Sequence, residues 1–163
     1  MPINPAIASK LHLLEGVTSF EEAMADPAQR ALLDEFMSIN GAPEPPRVPA
    51  RDTSAPGPHG PVPVRVYSPA GGATDRPGLV WLHGGAFLGG DLDMPEADWT
   101  ARQVAERAGA VVISVDYRLC TGGVHYPVPH DDVVAAFRWA RGNADALGID
   151  LSLIHISEPT RPY

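Results

Sequence analysis

Residues 78–87 read Gly-Leu-Val-Trp-Leu-His-Gly-Gly-Ala-Phe. Leu79 to Leu82 is a continuous apolar run, the pattern of a strand buried on both faces, and it leads directly into adjacent glycines. Adjacent glycines remove side chains where a backbone must approach a ligand, and they admit φ/ψ values closed to other residues. Peptide N–H groups in such a loop can be aimed at a developing negative charge. On Gly-Gly alone, a plain turn at a strand end is the commoner reading. A dinucleotide loop fails outright, because Gly84, Gly85, Gly89 and Gly90 cannot be fitted to G-x-G-x-x-G.

Working outward from this loop, residues 95–109 carry Ala97, Trp99, Val104 and Ala108 in a helical segment that Gly109 terminates. Ala110 to Val115 is a second apolar run. Residues 129–147 form another helix, with Val133, Val134, Phe137, Ala140 and Leu147 on its buried side. Strands alternating with helices predict an α/β fold, a mostly parallel sheet covered on both faces. Upstream, Val62, Val64 and Val66 alternate with Pro63, Arg65 and Tyr67, the period of a strand. Residues 41–61 are a Pro-rich connector with an edge strand expected around Val48 to Ser54. Residues 4–40 read as short helices opening at Asn4-Pro5, Thr18-Ser19 and Asp26-Pro27. The third has an apolar stripe of Ala31, Leu32, Phe36 and Ile39, and Asn40-Gly41 stops it.

Composition narrows the partners. The 163 residues suffice for one domain, and 16 glycines with 18 prolines make it loop-rich. With 20 acidic and 12 basic residues the net charge is −8, which disfavours a phosphate backbone, so no nucleic-acid partner is expected. The single Cys120 excludes an internal disulfide and any zinc site built on two or more cysteines. No apolar run approaches a membrane span, and the stretch MPINPAIASKLHLLEG lacks a basic segment followed by an apolar core. The reading is a cytoplasmic protein without a signal peptide or stable membrane insertion.

Four segments in order, LHGGAF (82–87), ISVDYRL (113–119), YPVPHDDVVAAFRWA (126–140) and ALGID (146–150), resemble the hormone-sensitive-lipase-like family of α/β-hydrolases, mostly bacterial carboxylesterases and lipases. The resemblance implies the N-terminal part of an α/β-hydrolase fold. Residues 1–44 would be a helical N-terminal cap segment and residues 45–150 the N-terminal half of the hydrolase domain. It implies a carboxylic ester hydrolase that transfers an acyl group to water through a serine, acts on a small-molecule ester, and needs no cofactor or metal. The oxyanion hole falls on Gly84, Gly85 and Ala86, with the N–H groups of Gly85 and Ala86 as donors and Gly84 shaping the turn. Ala86 stands where the family usually has a third glycine. His83, Asp116 and Arg118 are assigned to bracing this loop, the two charges as a strand-end pair. The family follows YRL with Ala-Pro-Glu, where this chain has Cys120-Thr121-Gly122-Gly123. A noncatalytic, receptor-like branch of the family is the alternative, and homo-oligomerisation stays open.

The remaining candidates have plainer readings. Cys120 is a packed residue without an assignable base. His125 and His130 are surface or packing residues near prolines, and Asp131-Asp132 cap a helix start. Met24 and Met37 suit core packing better than an acyl pocket, and Trp99 and Trp139 are expected in the core.

The nucleophile is missing. No serine of the chain sits in G-x-S-x-G, so the Ser, its Asp/Glu and its His are expected beyond residue 150 and the chain as given is expected to be inactive. Residues 151–161 read LSLIHISEPTR, which resembles the translation of a transposon-end sequencing adaptor. Residues 151–163 are therefore read as an adaptor-derived tail. The competing reading is a genuine short strand at Leu151 to Ile156. Under the adaptor reading, Leu79 to Leu82 would be an exposed sheet edge that invites association.

Overall fold

A computed structural model describes residues 3–38 and 44–158. The chain divides into two compact units, Met1–Pro43 and Glu44–Tyr163. The first contains α1 (Pro5–Ala8), a 3-10 turn (Leu11–Leu14), α2 (Phe20–Ala25) and α3 (Pro27–Met37). Ser19 caps α2 by accepting from the Glu22 N–H, and Asp26 caps α3 by accepting from the Ala28 N–H at 2.8 Å. Lys10 donates to the Glu35 carbonyl at 2.9 Å, so a cation sits at the C-terminal turn of α3, where the helix dipole favours it. Within α3 the less exposed side is Gln29, Leu33 and Phe36, spaced four and three apart, while Ala31 and Leu32 of the expected stripe are exposed. Ile39, the Asn40-Gly41 stop and the side chains of Met24 and Met37 lie outside the described residues.

The second unit is a five-stranded sheet in the order β1-β2-β4-β3-β5, with β1 Ala50–Ala55, β2 Val62–Tyr67, β3 Arg76–Leu82, β4 Val111–Val115 and β5 Ile149–Ser157. β1, β2 and β4 pair antiparallel in sequence, and β4, β3 and β5 are parallel. The predicted edge strand is β1, starting two residues later than expected. Helices α4 (Pro95–Ala108), α5 (Val128–Gly142) and α6 (Ala144–Leu147) complete the unit.

Alternation within the strands sorts the core into two layers. Val111, Ile113 and Val115 pack with Val64, Val80, Ala136 and Ala140 on the α5 side. Val112, Tyr67 and Trp81 pack with Ala101 and Ala105 of α4 on the other side. Alanines at these helix positions let the backbone lie close to the sheet. The α4 layer also has a polar anchor: Tyr67 donates to Asp98 at 2.8 Å, Arg102 donates to the same carboxylate at 2.7 Å, and a second Arg102 nitrogen reaches the Val48 carbonyl at 2.8 Å. Trp139 packs against the α5-side core as expected, whereas Trp99 is half-buried and outside both layers.

The expected open edge at Leu79 to Leu82 does not occur. β5 runs along β3, pairing Gly78 with Ile154, Leu79 with His155, Val80 with Ile156 and Trp81 with Ser157, with a register irregularity after Arg76. The unpaired N–H and C=O groups of β3 need partners, and Leu151 to Ile156 has the strand pattern to supply them. Gly78 permits the close approach, since a Cβ there would lie 2.8 Å from an Ile149 methyl. The open edge is β5 instead, where Leu151, Leu153 and Ile156 are exposed. This edge is apolar and carries neither proline nor charge at 151–157. The chain is expected to bind a hydrophobic dye and to associate through this edge, and replacing Leu151 and Leu153 by lysine is expected to weaken both, giving a sharper single species on size exclusion. Unchanged dye binding in the double variant would place the sticky surface elsewhere.

Candidate active site

β3 and β4 are parallel, with Leu82 level with Val115, so the loops that follow them leave the same end of the sheet. Ligands of open α/β sheets bind at that end. His83 opens the first loop and is only 2% exposed. Its ring stacks on Tyr117 from the second loop, with centroids 4.3 Å apart and planes 9° from parallel. The Tyr117 hydroxyl donates to the His83 carbonyl at 2.8 Å, and burial pushes that hydroxyl up to about 12. His83 Nδ1 lies 2.7 Å from the Gly84 carbonyl, which requires the hydrogen on Nδ1. The buried Nε2 is left without a partner among the described residues.

The next residues make a left-handed turn. Gly85, Ala86 and Phe87 have φ of 114°, 53° and 64°, and the Gly85 carbonyl accepts from the N–H groups of Leu88 at 2.9 Å and Gly89 at 3.2 Å. Gly90 is as constrained as Gly85, because a Cβ there would lie 2.3 Å from His83 Nδ1. The Gly84 N–H donates to Glu96 Oε1 at 2.8 Å. The N–H groups of Gly85 and Ala86 have no acceptor among the described residues. The Phe87 carbonyl receives the Cys120 N–H at 2.6 Å, which ties the two loops together.

The positive φ of Ala86 accounts for the family's usual glycine at that position. Alanine in the left-handed region costs about 1–2 kcal/mol, and glycine gives back roughly 0.5–1 kcal/mol through its freer unfolded chain. Ala86→Gly is therefore expected to be neutral or to stabilise by up to about 1.5 kcal/mol. Ala86→Val, β-branched at a positive φ, should lose more than that. Urea midpoints of the two variants against the parent chain check the order.

The expected pairing of Asp116 with Arg118 is not what the structure contains. Arg118 pairs with Asp132 of α5, which is 0% exposed, and its backbone N–H donates to the same carboxylate at 3.0 Å. A further Arg118 nitrogen donates to the carbonyls of His59 at 2.9 Å and Pro61 at 3.3 Å. Asp132 is thus a buried ion-pair partner rather than a helix cap, and Asp131, at the surface, faces His59 at 2.9 Å. Asp116 lies in no salt bridge among the described residues; burial raises its carboxyl above the usual range, only partly countered by nearby His83. Its backbone N–H holds the Pro63 carbonyl at 3.0 Å. Cys120 is a half-buried free thiol, and His125 and His130 are exposed.

A separate cleft of about 240 Å³ lies at the other end of the sheet, lined by Ser68, Arg76, Val111 and Asp145 among others. Its arginine is engaged in closing a turn, donating to the carbonyls of Pro69, Ala70 and Ala73, each at 3.1 Å.

Sheet order, crossovers and a glycine loop after an interior parallel strand are those of an α/β-hydrolase fold. The family profile described as alpha/beta hydrolase fold matches residues 79–157. Esterase LipI of Mycobacterium tuberculosis is 34% identical over 154 residues, 93% of this chain and 43% of LipI. Ethyl acetate hydrolase of Pseudomonas putida is 34% identical over 162 residues, 92% of this chain and 49% of that enzyme. The solved structure of a hyperthermophilic esterase from the archaeon Pyrobaculum calidifontis superposes with a TM-score of 0.77 at 30% identity, covering 97% of this chain and 50% of that one. The chain carries a portion of the α/β-hydrolase fold, and the relatives that it resembles are esterases. It spans about half the length of these relatives.

Glu96, Gly90, Tyr117 and Asp132 complete the loop's framework; the sequence reading gives the first three no role there and takes Asp132 for a helix cap. A carboxylate in the first turn of the helix after a glycine loop, and a lone buried acid on α5, were the available signals. Neither pattern states which group the acid will meet.

Proposed function

We propose that the protein to which this chain contributes is a serine carboxylesterase acting on small carboxylic esters. The observation that carries the reading is the pair of uncommitted N–H groups at Gly85 and Ala86, on a loop whose carbonyls are held by its own protein. Such donors suit an oxyanion that forms when a serine attacks an ester carbonyl. The negative charge of the tetrahedral intermediate sits on them until the alcohol leaves, and water then releases the acid. His83 and Arg118 brace the two loops and take no part in proton transfer. The printed names of the relatives, an esterase and an ethyl acetate hydrolase, agree in reaction class. The nucleophile elbow, the acid and the histidine lie beyond residue 150, residues 151–163 derive from adaptor DNA, and the chain as given does not turn over.

The test is the native DNA downstream of codon 150. It is expected to encode a strand and a G-x-S-x-G elbow, and the resulting full-length protein should hydrolyse short p-nitrophenyl esters while residues 1–163 do not. A native stop codon just after Tyr163, a full-length protein with a broken Ser/Asp/His set, or saturable turnover by the 163-residue chain would each overturn the reading.

A further inference from the structure

The loop's peptide planes are fixed one at a time. A trans peptide directs its C=O and its N–H to opposite sides, so holding one edge aims the other. The plane between His83 and Gly84 is held on both edges: its carbonyl accepts from Tyr117 and its N–H donates to Glu96 at 2.8 Å. The next plane has its Gly84 carbonyl held by His83, which turns the Gly85 N–H away from the protein side. The third has its Gly85 carbonyl held by Leu88 and Gly89, which turns the Ala86 N–H the same way out of the turn's own hydrogen bonds. The first plane is the foundation of the series, and among the described residues Glu96 is the side chain that accepts from it. Glu96 reaches it because Pro95 starts α4 and puts Glu96 in the first turn, and α4 is anchored to the sheet through Asp98 and Arg102.

We infer that Glu96 is a positioning residue for the oxyanion hole: by holding the Gly84 N–H it withdraws that group from the donor set and fixes the direction in which Gly85 and Ala86 present theirs. The inference rests on the esterase reading of the loop and adds a residue that the reading does not need. With the Gly84 N–H engaged by Glu96, the loop presents two donors, Gly85 and Ala86, rather than three. Misaiming donors by a fraction of their hydrogen-bond length costs less than deleting one, which removes about 100- to 1,000-fold in kcat.

Two measurements test this. In the 163-residue chain, Glu96→Ala should speed amide hydrogen exchange at Gly84 by at least about tenfold, with Glu96→Gln, which keeps the acceptor oxygen, restoring protection. Unchanged exchange at Gly84 in Glu96→Ala overturns the inference. In the full-length enzyme, Glu96→Ala should lower kcat about 10- to 100-fold with KM within about twofold, Glu96→Gln should recover most of the loss, and Glu96→Asp, too short to reach, should not. An active parent enzyme whose kcat is indifferent to Glu96→Ala also overturns it. So does a loss that tracks the melting temperature and that Gln fails to rescue. A full-length parent protein without esterase activity would count against the esterase reading instead, and the exchange result would still decide whether Glu96 sets the loop.

Discussion

Gly85→Ala is expected to be among the most damaging single substitutions in the second unit. A Cβ at this position would sit 2.0 Å from the Gly89 carbonyl oxygen and 2.7 Å from its carbon, and the residue has φ of +114°. The obstacle is backbone, which cannot swing aside as a flexible side chain would. That φ is essentially reserved for glycine, and forcing another residue there costs about 1–3 kcal/mol before any clash is counted. Relief requires opening the 85–89 turn, which gives up the two hydrogen bonds accepted by the Gly85 carbonyl and turns the Gly85 and Ala86 N–H groups out of line. The expected result is a loss of about 3 kcal/mol or more in the urea midpoint of the chain, followed by tryptophan fluorescence at low concentration. In the full-length esterase proposed above, kcat should fall about 100- to 1,000-fold, the effect of losing an oxyanion donor. Gly89→Ala is the control, because nothing lies within 4 Å of a Cβ there. Equal effects at 85 and 89 would show that the turn is not held as described.

Asp132→Ala is the second. Asp132 is fully buried and joins three segments: α5, the loop at Arg118, and through the arginine the turn at His59 and Pro61. Removing one partner of a buried pair commonly costs about 3–5 kcal/mol, because the other charge stays behind unpaired. Here the Arg118 side chain is 30% exposed and can regain some water, so a value near the lower end, about 3 kcal/mol, is expected. Asp132→Asn keeps an acceptor for the Arg118 backbone N–H and should cost less, roughly 1–2 kcal/mol. Arg118→Met removes the charge along with its need for a partner, and in that background Asp132→Ala should lose much of its effect. A double-mutant cycle in urea measures the coupling, and additive losses at the two positions would contradict the pairing.

The fold was legible where pattern and chemistry agree. Leu79 to Leu82 and Ala110 to Val115 announce buried parallel strands, and His83-Gly84-Gly85 between strand and helix announces the loop. What stayed hidden were partnerships across the chain. Asp116 stands two residues from Arg118, yet the arginine reaches Asp132 on α5, fourteen positions along the chain, a partner that only the packing of α5 on the sheet brings near. Glu96 reads as an ordinary first-turn acid until α4 folds back over β3 and brings it to Gly84. Ala86 looks like a departure from a glycine pattern, and only its φ of +53° says what glycine would relieve. The strand at Ile149–Ser157 shows a different limit. Its alternating pattern satisfies the edge of β3 whatever the origin of its codons, so pairing follows from local chemistry and carries no record of descent.

The proposed esterase is tested most directly by a crystal structure of the full-length protein carrying a phosphonate on the serine expected of its nucleophile elbow. The phosphoryl oxygen is expected about 2.7–3.1 Å from the backbone nitrogens of both Gly85 and Ala86, with the Gly84 N–H still on Glu96. A phosphoryl oxygen held by other donors, with Gly85 and Ala86 left facing solvent, would contradict the account.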